Sequence, residues 1–448
     1  MKKFLKITAA IVILLLVFFA GVLKYRKYQV TQTLIPKNAT GIIKINVDEL
    51  YQTIVLNMIG NPGYYLKSDV KKGAAIKIDK YATGLSIPAS IYFYNLATQP
   101  AGTVFSRLDI KNSTDFENFI KNVLHLQIIK KAKGISMAKS RLGNFMLCYN
   151  NKAVAMVITT QIRNFEPILT DILNQKNMIK ASESKLNEVL DQNGHIIFAN
   201  AENNGRIDFK SGSVNFSYVF LAKDILPAAQ SVHHQINPIS TVSFWLNANL
   251  KPGDHKIYKF KNFSLEQDSL IKYYNGKLDF EWTNSITQTD SVITYEYNDD
   301  FEKVEKVSLQ KRNIPSISVN VGWKGNGLKN YLAKQGLINL DSNTVNKNAF
   351  PLYKVFVNSN RENLNFSTVK NQNFSTSKVT STDFLYLNVN LIKLGQQMET
   401  PFINSYFKTL RNLEVKGKLL DNKKVQIDGK IELKNGDINA LYQILKGL

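Results

Sequence analysis

The chain predicts an α+β fold: an N-terminal transmembrane helix followed by mixed modules of mostly antiparallel sheet with amphipathic helices. Three patterns carry that expectation. The N-terminus holds an uncharged apolar run. Further on, apolar residues alternate with polar ones, as in Leu278, Phe280, Trp282 and in Ile317, Val319, Val321, Trp323. Between the strands, apolar residues recur at helical spacing without strict β–α–β alternation, which is the mark of α+β rather than α/β.

Residues 7–23 carry no charge; Lys2, Lys3 and Lys6 precede them, and Lys24, Arg26 and Lys27 follow. About 20 apolar residues at about 1.5 Å each span the hydrocarbon core of a bilayer. Phe4 to Leu23 supplies that length. No A-x-A pattern marks the exit at Phe19–Arg26, and the single cysteine, Cys148, excludes a lipid-accepting site there. The run therefore reads as an uncleaved signal anchor over residues 4–24. The cations flanking it are nearly balanced. With so short an N-terminal tail, the expected location is single-pass in a membrane with the body extracytoplasmic, in the periplasm.

The anchor leaves about 420 residues, too many for one ordinary core. The expected organisation is residues 1–29 as membrane anchor, 30–235 as an α+β domain, and 236–448 as a β-rich α+β domain ending in a hairpin and a helix. With 44% hydrophobic and 21% charged residues, the body can bury a real core. One cysteine excludes a disulfide framework, CxxC redox chemistry and a multi-cysteine zinc site. Cys148 sits in the apolar run Phe145–Tyr149 and reads as a buried, inert thiol.

In chain order, Ile35-Pro36-x-x-Ala39 leads into a strand, and Asp48 is placed to cap a helix with Leu50, Ile54 and Met58 on one face. Thr40–Asp48, Thr241–Asn249 and Thr382–Asn390 share a pattern: a threonine six residues before an asparagine, which has apolar neighbours on both sides and is followed by Asp or Asn. Shared ancestry or coincidence among asparagine-rich strands both produce it. On the first view Asn46, Asn247 and Asn388 close equivalent turns. Val104–Ile110 reads as a strand. Thr114 and Glu117 then form a capping box for a helix carrying Phe116, Phe119, Ile120, Val123 and Leu124. Strands follow near Ile135–Met137, Phe145–Tyr149 and Ala153–Ile158. Ser182 opens a short helix with Leu186, Val189 and Leu190, closed by Gly194. His233–Pro238 reads as a linker. The clearest hairpin joins Leu413–Leu419 to Val425–Leu433 through Asp421–Lys424, and Ile438, Leu441, Tyr442 and Leu445 then share a helix face.

The anchor, the Pro36-x-x-Ala39 entry, Asn46-Val47-Asp48-Glu49-Leu50, the strand and helix at 104–124, and the closing segment Leu433–Leu445 occur in this order. They resemble a group of Bacteroidota-type envelope proteins that carry a domain of unknown function, as lipoproteins or behind a single-pass anchor. That resemblance implies location and fold class. It implies no activity, and no functional residue carries over.

The net charge is +22. Asn118–Phe165 holds no carboxylate but carries Lys121, Lys130, Lys131, Lys133, Lys139, Arg141, Lys152 and Arg163. Asp279–Glu305 is its opposite, with eight carboxylates. Two solvated faces of opposite sign are one reading. The functional one makes Lys130, Lys131 and Lys133, expected in an exposed loop, a contact for an acidic protein or anionic lipid. Nucleic acid is not an expected partner, since no RNP-like, helix-turn-helix or zinc-finger pattern occurs. No catalytic, cofactor or metal motif occurs either. His233 and His234 are adjacent, so on an extended chain they point apart. Gly322–Lys329 lacks the G-K-[ST] ending of a phosphate loop. Asp299-Asp300-x-Glu302 lacks the spacing of a calcium loop. The expected role is thus non-catalytic binding or scaffolding at the cell envelope, with no cofactor. The alternative is a body that handles lipid or another hydrophobic ligand in an apolar groove along a sheet.

Overall fold

The structure, a computed structural model, describes the chain apart from residues 1–20, 23, 67–81, 101, 133, 188–191, 224, 229–231, 238, 254, 300, 326, 371–376, 399–406 and 448. It forms two compact units. One comprises Met1–Tyr218 with Asp437–Gln443, the other Val219–Gly436 with Ile444–Leu448.

The first unit is built on an antiparallel sheet. Its strands run Asn204–Lys210, Ile196–Asn200, Ala39–Asn46, Ser90–Leu96, Val104–Ile110, Ala153–Ile158, Phe145–Tyr149, Ile135–Lys139 and Gln127–Ala132. Around Phe145–Tyr149 and Ala153–Ile158 the strands are apolar at nearly every position because both faces are covered. Helix Glu166–Leu173 sets Leu169, Ile172 and Leu173 in a core with Phe105, Cys148, Ala155 and Val157. Helix Ser113–Asn122 sets Phe116 and Ile120 on the opposite face, with Leu147, Tyr149 and Val154. Toward the other edge only one face is sealed. Ile42, Tyr92, Tyr94 and Ile197 are buried, while Ile43, Ile45, Ile91, Phe93, Ile196 and Phe198 point the other way and are half-buried.

The second unit has an antiparallel sheet running Lys424–Leu433, Leu410–Leu419, Leu385–Asn390, Val242–Leu250, Tyr274–Tyr297, Lys303–Trp323, Asn363–Ser367 and Phe356–Ser359. Directly opposed residues share a face. Ser243, Trp245 and Asn247 therefore lie on one side with Asp279, Glu281, Ser318, Tyr386 and Asn388. Phe244 and Leu246 lie on the other with Leu278, Phe280, Val319, Leu385 and Leu387. Helix Gly327–Lys334 closes the apolar side at one end, where Leu328 and Leu332 join Trp323, Val357 and Leu364. A separate two-stranded ribbon, Val232–Ile236 paired with Ser377–Ser381, supplies His234 to the polar side. The strands Tyr274–Tyr297 and Lys303–Trp323 outrun every neighbour and form a long arm, paired as far as Tyr297 opposite Lys303.

Several expectations are corrected. No helix among the described residues is long and apolar enough to cross a membrane. This stands against the transmembrane helix expected at residues 4–24, the signal anchor and the single-pass membrane location; residues 4–20 and 23 lie outside the described residues. The described helix at 24–31 is polar and held down, because the Arg26 guanidinium forks onto both Asp48 carboxylate oxygens at 2.8 Å. Asp48 therefore does not cap a helix. Asn46 is the N-cap residue of Val47–Gly60, and Asp48 sits in its first turn. Likewise the cap of the helix Ser113–Asn122 is Asn112, whose side chain accepts the amides of Thr114 and Asp115 at 3.0 and 3.2 Å. The linker expected at His233–Pro238 is mostly strand. Ser182 lies in a 3-10 turn, Ala181–Glu183, and Val189 and Leu190 lie outside the described residues.

The observed cap makes a direct test. Replacing Asn112 with Ala should cost about 1 kcal/mol in urea unfolding, whereas Thr114→Ala should cost little, since Thr114 enters through its backbone amide. Equal costs for the two would restore Thr114 as the capping residue.

Candidate functional site

The polar side of the second unit's sheet is the better buried side. Ser243, Trp245 and Asn247 are buried, while Val242, Phe244 and Leu246 between them are half-buried. His234 explains how polar groups tolerate this. It reaches the sheet from the ribbon and is 1% exposed. Its imidazole stacks on Trp245 at 4.3 Å and 10°, and Trp245 stacks on Tyr386 at 4.1 Å and 18°. The Asn247 amide group lies 3.0 Å from His234 Nε2 and 3.4 Å from the Asp383 carbonyl oxygen. That amide is the donor to both, so Nε2 accepts and Nδ1–H donates to Asp279 Oδ1, 2.7 Å away. Trp245 Nε1–H also reaches the Asp383 carbonyl, at 3.3 Å.

Glu281 lies one cross-strand position further along the same side, opposite Ser243. Ser240 and Ser243 both donate to its carboxylate, Ser243 at 3.0 Å. Burial pushes its pKa up to about 7, and the like charge of Asp279 pushes the same way, while the two hydroxyls pull it down. Burial also raises Tyr386, with Glu414 and Glu281 adding to it. In the first unit His195 is committed as fully as His234. The Phe209 amide donates to Nδ1 at 2.9 Å, so Nε2–H faces Thr53 Oγ1 at 2.8 Å. Burial lowers its pKa, although Asp208 and Glu49 favour the charged form. These groups are therefore engaged in holding structure. Among the described residues no cluster of three or more His, Cys, Asp or Glu side chains could hold a metal ion.

The apolar side of the sheet is incompletely covered around Phe244. Phe244 faces Phe280 on one neighbouring strand and Leu387 on the other, and all three are half-buried. Leu278 and Val319 continue this side, while Leu246 and Leu385 pack against the small core of Ala248, Phe384 and Val425. The first unit has its own counterpart, where Ile43 is flanked by Phe93 and Phe198, and Ile45 by Ile91 and Ile196.

The residues singled out in the sequence fall elsewhere. Lys130 and Lys131 lie on the strand Gln127–Ala132, opposite Met137 and Ser136, and so are not in the expected loop; Lys133 lies outside the described residues. The three repeated asparagines do not close equivalent turns. Asn46 starts a helix and donates to the Gly194 carbonyl. Asn247 and Asn388 lie within strands, Asn247 against His234 and Asn388 accepting from Asn412 at 2.9 Å. Asn390, two residues on, caps the helix Leu391–Gln397 by accepting the Lys393 amide at 3.0 Å, whereas Asn46 makes no side-chain cap bond. His234 was visible in the sequence only as half of a polar pair. Its burial depends on strands far away in the chain.

No family model matches this chain, and no curated protein does. Among solved structures, crystal forms IV and III of TP0453 align with 75% of this chain and with 92% and 90% of their own, at 9% and 10% identity and a TM-score of 0.23. At that score the likeness carries no argument. None of these matches indicates the envelope group that the sequence resembles.

Glu281 generates a pH dependence with a definite sign. Burial lifts its carboxyl from an ordinary value of 4.5 to about 7 in the folded chain. Between those values the folded state holds the proton and the unfolded state does not, so stability falls as pH rises through that window. The melting midpoint should therefore decline relative to that of Glu281→Gln between about pH 4.5 and pH 7. A constant gap between the two proteins across the window would show that Glu281 is ionised throughout.

Proposed function

We propose that this protein is a non-catalytic binding protein for apolar or amphiphilic molecules, which lie along the apolar side of a sheet. One observation carries the reading. The strand Val242–Leu250 buries Ser243, Trp245 and Asn247 and leaves Val242, Phe244 and Leu246 only half-buried, as are Phe280 and Leu387 beside Phe244. Apolar surface at a folded protein's exterior costs free energy in proportion to its area, about 25 cal/mol per Å². A contiguous apolar surface marks a binding site more often than chance exposure. The non-catalytic part rests on the ring nitrogens of His234 and His195, which are all taken up by hydrogen bonds to protein groups. A general acid or base needs a free nitrogen within reach of substrate.

The test is titration of the native chain with N-phenyl-1-naphthylamine, an uncharged fluorophore that brightens in apolar surroundings, followed by displacement with palmitate. Saturable binding is expected well below the unfolding transition. Phe280→Asn with Leu387→Asn should weaken it at least tenfold, about 1.4 kcal/mol, with an unchanged far-ultraviolet circular dichroism spectrum. Brightening that appears only as the protein unfolds would sink the proposal.

A further inference from the structure

The arm of the second unit and the basic stretch of the first are the chemical complements of one another. From Thr289 opposite Lys311 to Tyr297 opposite Lys303, the arm is a two-stranded ladder. At about 3.3 Å per residue this part is about 26 Å long. Among the described residues no third strand pairs with it, since Val242–Leu250 stops at Trp282 and Asn363–Ser367 stops at Ser318. Its two faces differ. Tyr295, Tyr297, Val307 and Leu309 share one, and Leu309 is 75% exposed. Thr294, Glu296, Lys306 and Ser308 share the other, where Lys306 pairs with Glu296 at 2.9 Å. Phe301 stands at the tip, 86% exposed. Residues 290–306 hold six carboxylates and two lysines in a chain of net charge +22. The arm is therefore both apolar and acidic.

The matching surface lies in the stretch Asn118–Phe165, which has no carboxylate. There the turn after Ile135–Lys139 carries Arg141 and Leu142, and Leu142 is 73% exposed. Ile162, 75% exposed, adjoins the same turn: a Cβ built on Gly143 would lie 3.6 Å from an Ile162 methyl. Lys139, Arg141 and Arg163 are exposed around this pair. Each surface is exposed, each carries large apolar side chains, and their charges are opposite. We propose that a second copy of this chain is the arm's partner. Phe301, Tyr297 and Leu309 of one copy cover Leu142 and Ile162 of the other, and Asp299, Glu302 and Glu305 face Lys139, Arg141 and Arg163. This pairing does not depend on the ligand proposed above.

Sedimentation velocity of the full chain from 1 to 100 μM tests it, at low salt and at 0.5 M salt. Reversible association is expected, weaker at high salt because exposed charge pairs are screened. Two triple variants then separate this contact from others. Asp299→Lys, Glu302→Lys, Glu305→Lys reverses the arm; Lys139→Glu, Arg141→Glu, Arg163→Glu reverses the receiving surface. Each alone should associate at least tenfold more weakly. An equimolar mixture should recover the original affinity, because each arm then meets an opposite charge. A wild-type chain that stays monomeric across the range overturns the proposal. So does association that neither variant weakens. Loss in both variants without recovery in the mixture would mean that the two surfaces do not meet.

Discussion

The second unit depends on pairing the polar groups of a sheet face whose central residues, Ser243, Trp245, Asn247 and Asp279, are buried. Each buried polar group left unpaired costs about 1–3 kcal/mol. Polar networks in such places are favourable only when nearly complete. His234 brings this one close to completion by receiving Asn247 and donating to Asp279 while its ring stacks on Trp245. The ribbon strand that carries it is held in register by five pairings, from Val232 opposite Ser381 to Ile236 opposite Ser377. A shift of one residue would turn the His234 imidazole away from the sheet. One atom stays outstanding: Asn247 Oδ1 has no partner among the described residues.

With the polar side occupied by that network, the covering role falls to the apolar side only in part. Helix Gly327–Lys334 closes one end of it, and Phe384, Val425 and Ala248 form a small core near the other. Between them Phe244, Phe280 and Leu387 remain half-buried. The first unit shows what full coverage looks like. There Phe105, Cys148, Ala155 and Val157 are buried beneath one helix and Leu147, Tyr149 and Val154 beneath another, so both faces of these strands carry a core. The contrast lies in the supply of covering elements rather than in the strands themselves.

The arm follows from the same sheet. An irregularity between Trp282 and Ser285 sets two intervening residues of one strand opposite one of the other, a bulge that increases local twist. Gln288 still bonds the Lys354 backbone, and from Thr289 onward no third strand among the described residues pairs with the ribbon. Isolated two-stranded ribbons are marginal in water. This one gains from Lys303 seated 4.1 Å over the Tyr295 ring and from the Lys306–Glu296 pair. Its apolar and acidic character is therefore displayed on a projecting element.

Local pattern by itself determined the element types. Alternation at Leu278–Trp282 and Ile317–Trp323 marked strands, the spacing of Phe116 and Ile120 marked a helix, and Asp421–Lys424 marked a hairpin turn. Each depends on residues within a few positions of one another, and so survives without tertiary context. Tertiary structure decided what those patterns faced. Alternation says that a strand has two unlike sides, but not which one another segment will cover. Here the covering segment holds His234 and its partner Asp279 lies 45 residues away, with Asp383 further still. A polar pair, His233-His234, thus read as linker while its second member became the most buried histidine of the chain's described residues. An apolar run of membrane-spanning length was equally local evidence, and it carried no information about the helix that follows it, which Arg26 pins to Asp48. Burial is a relation between distant segments, and one-dimensional pattern records only each segment's own chemistry.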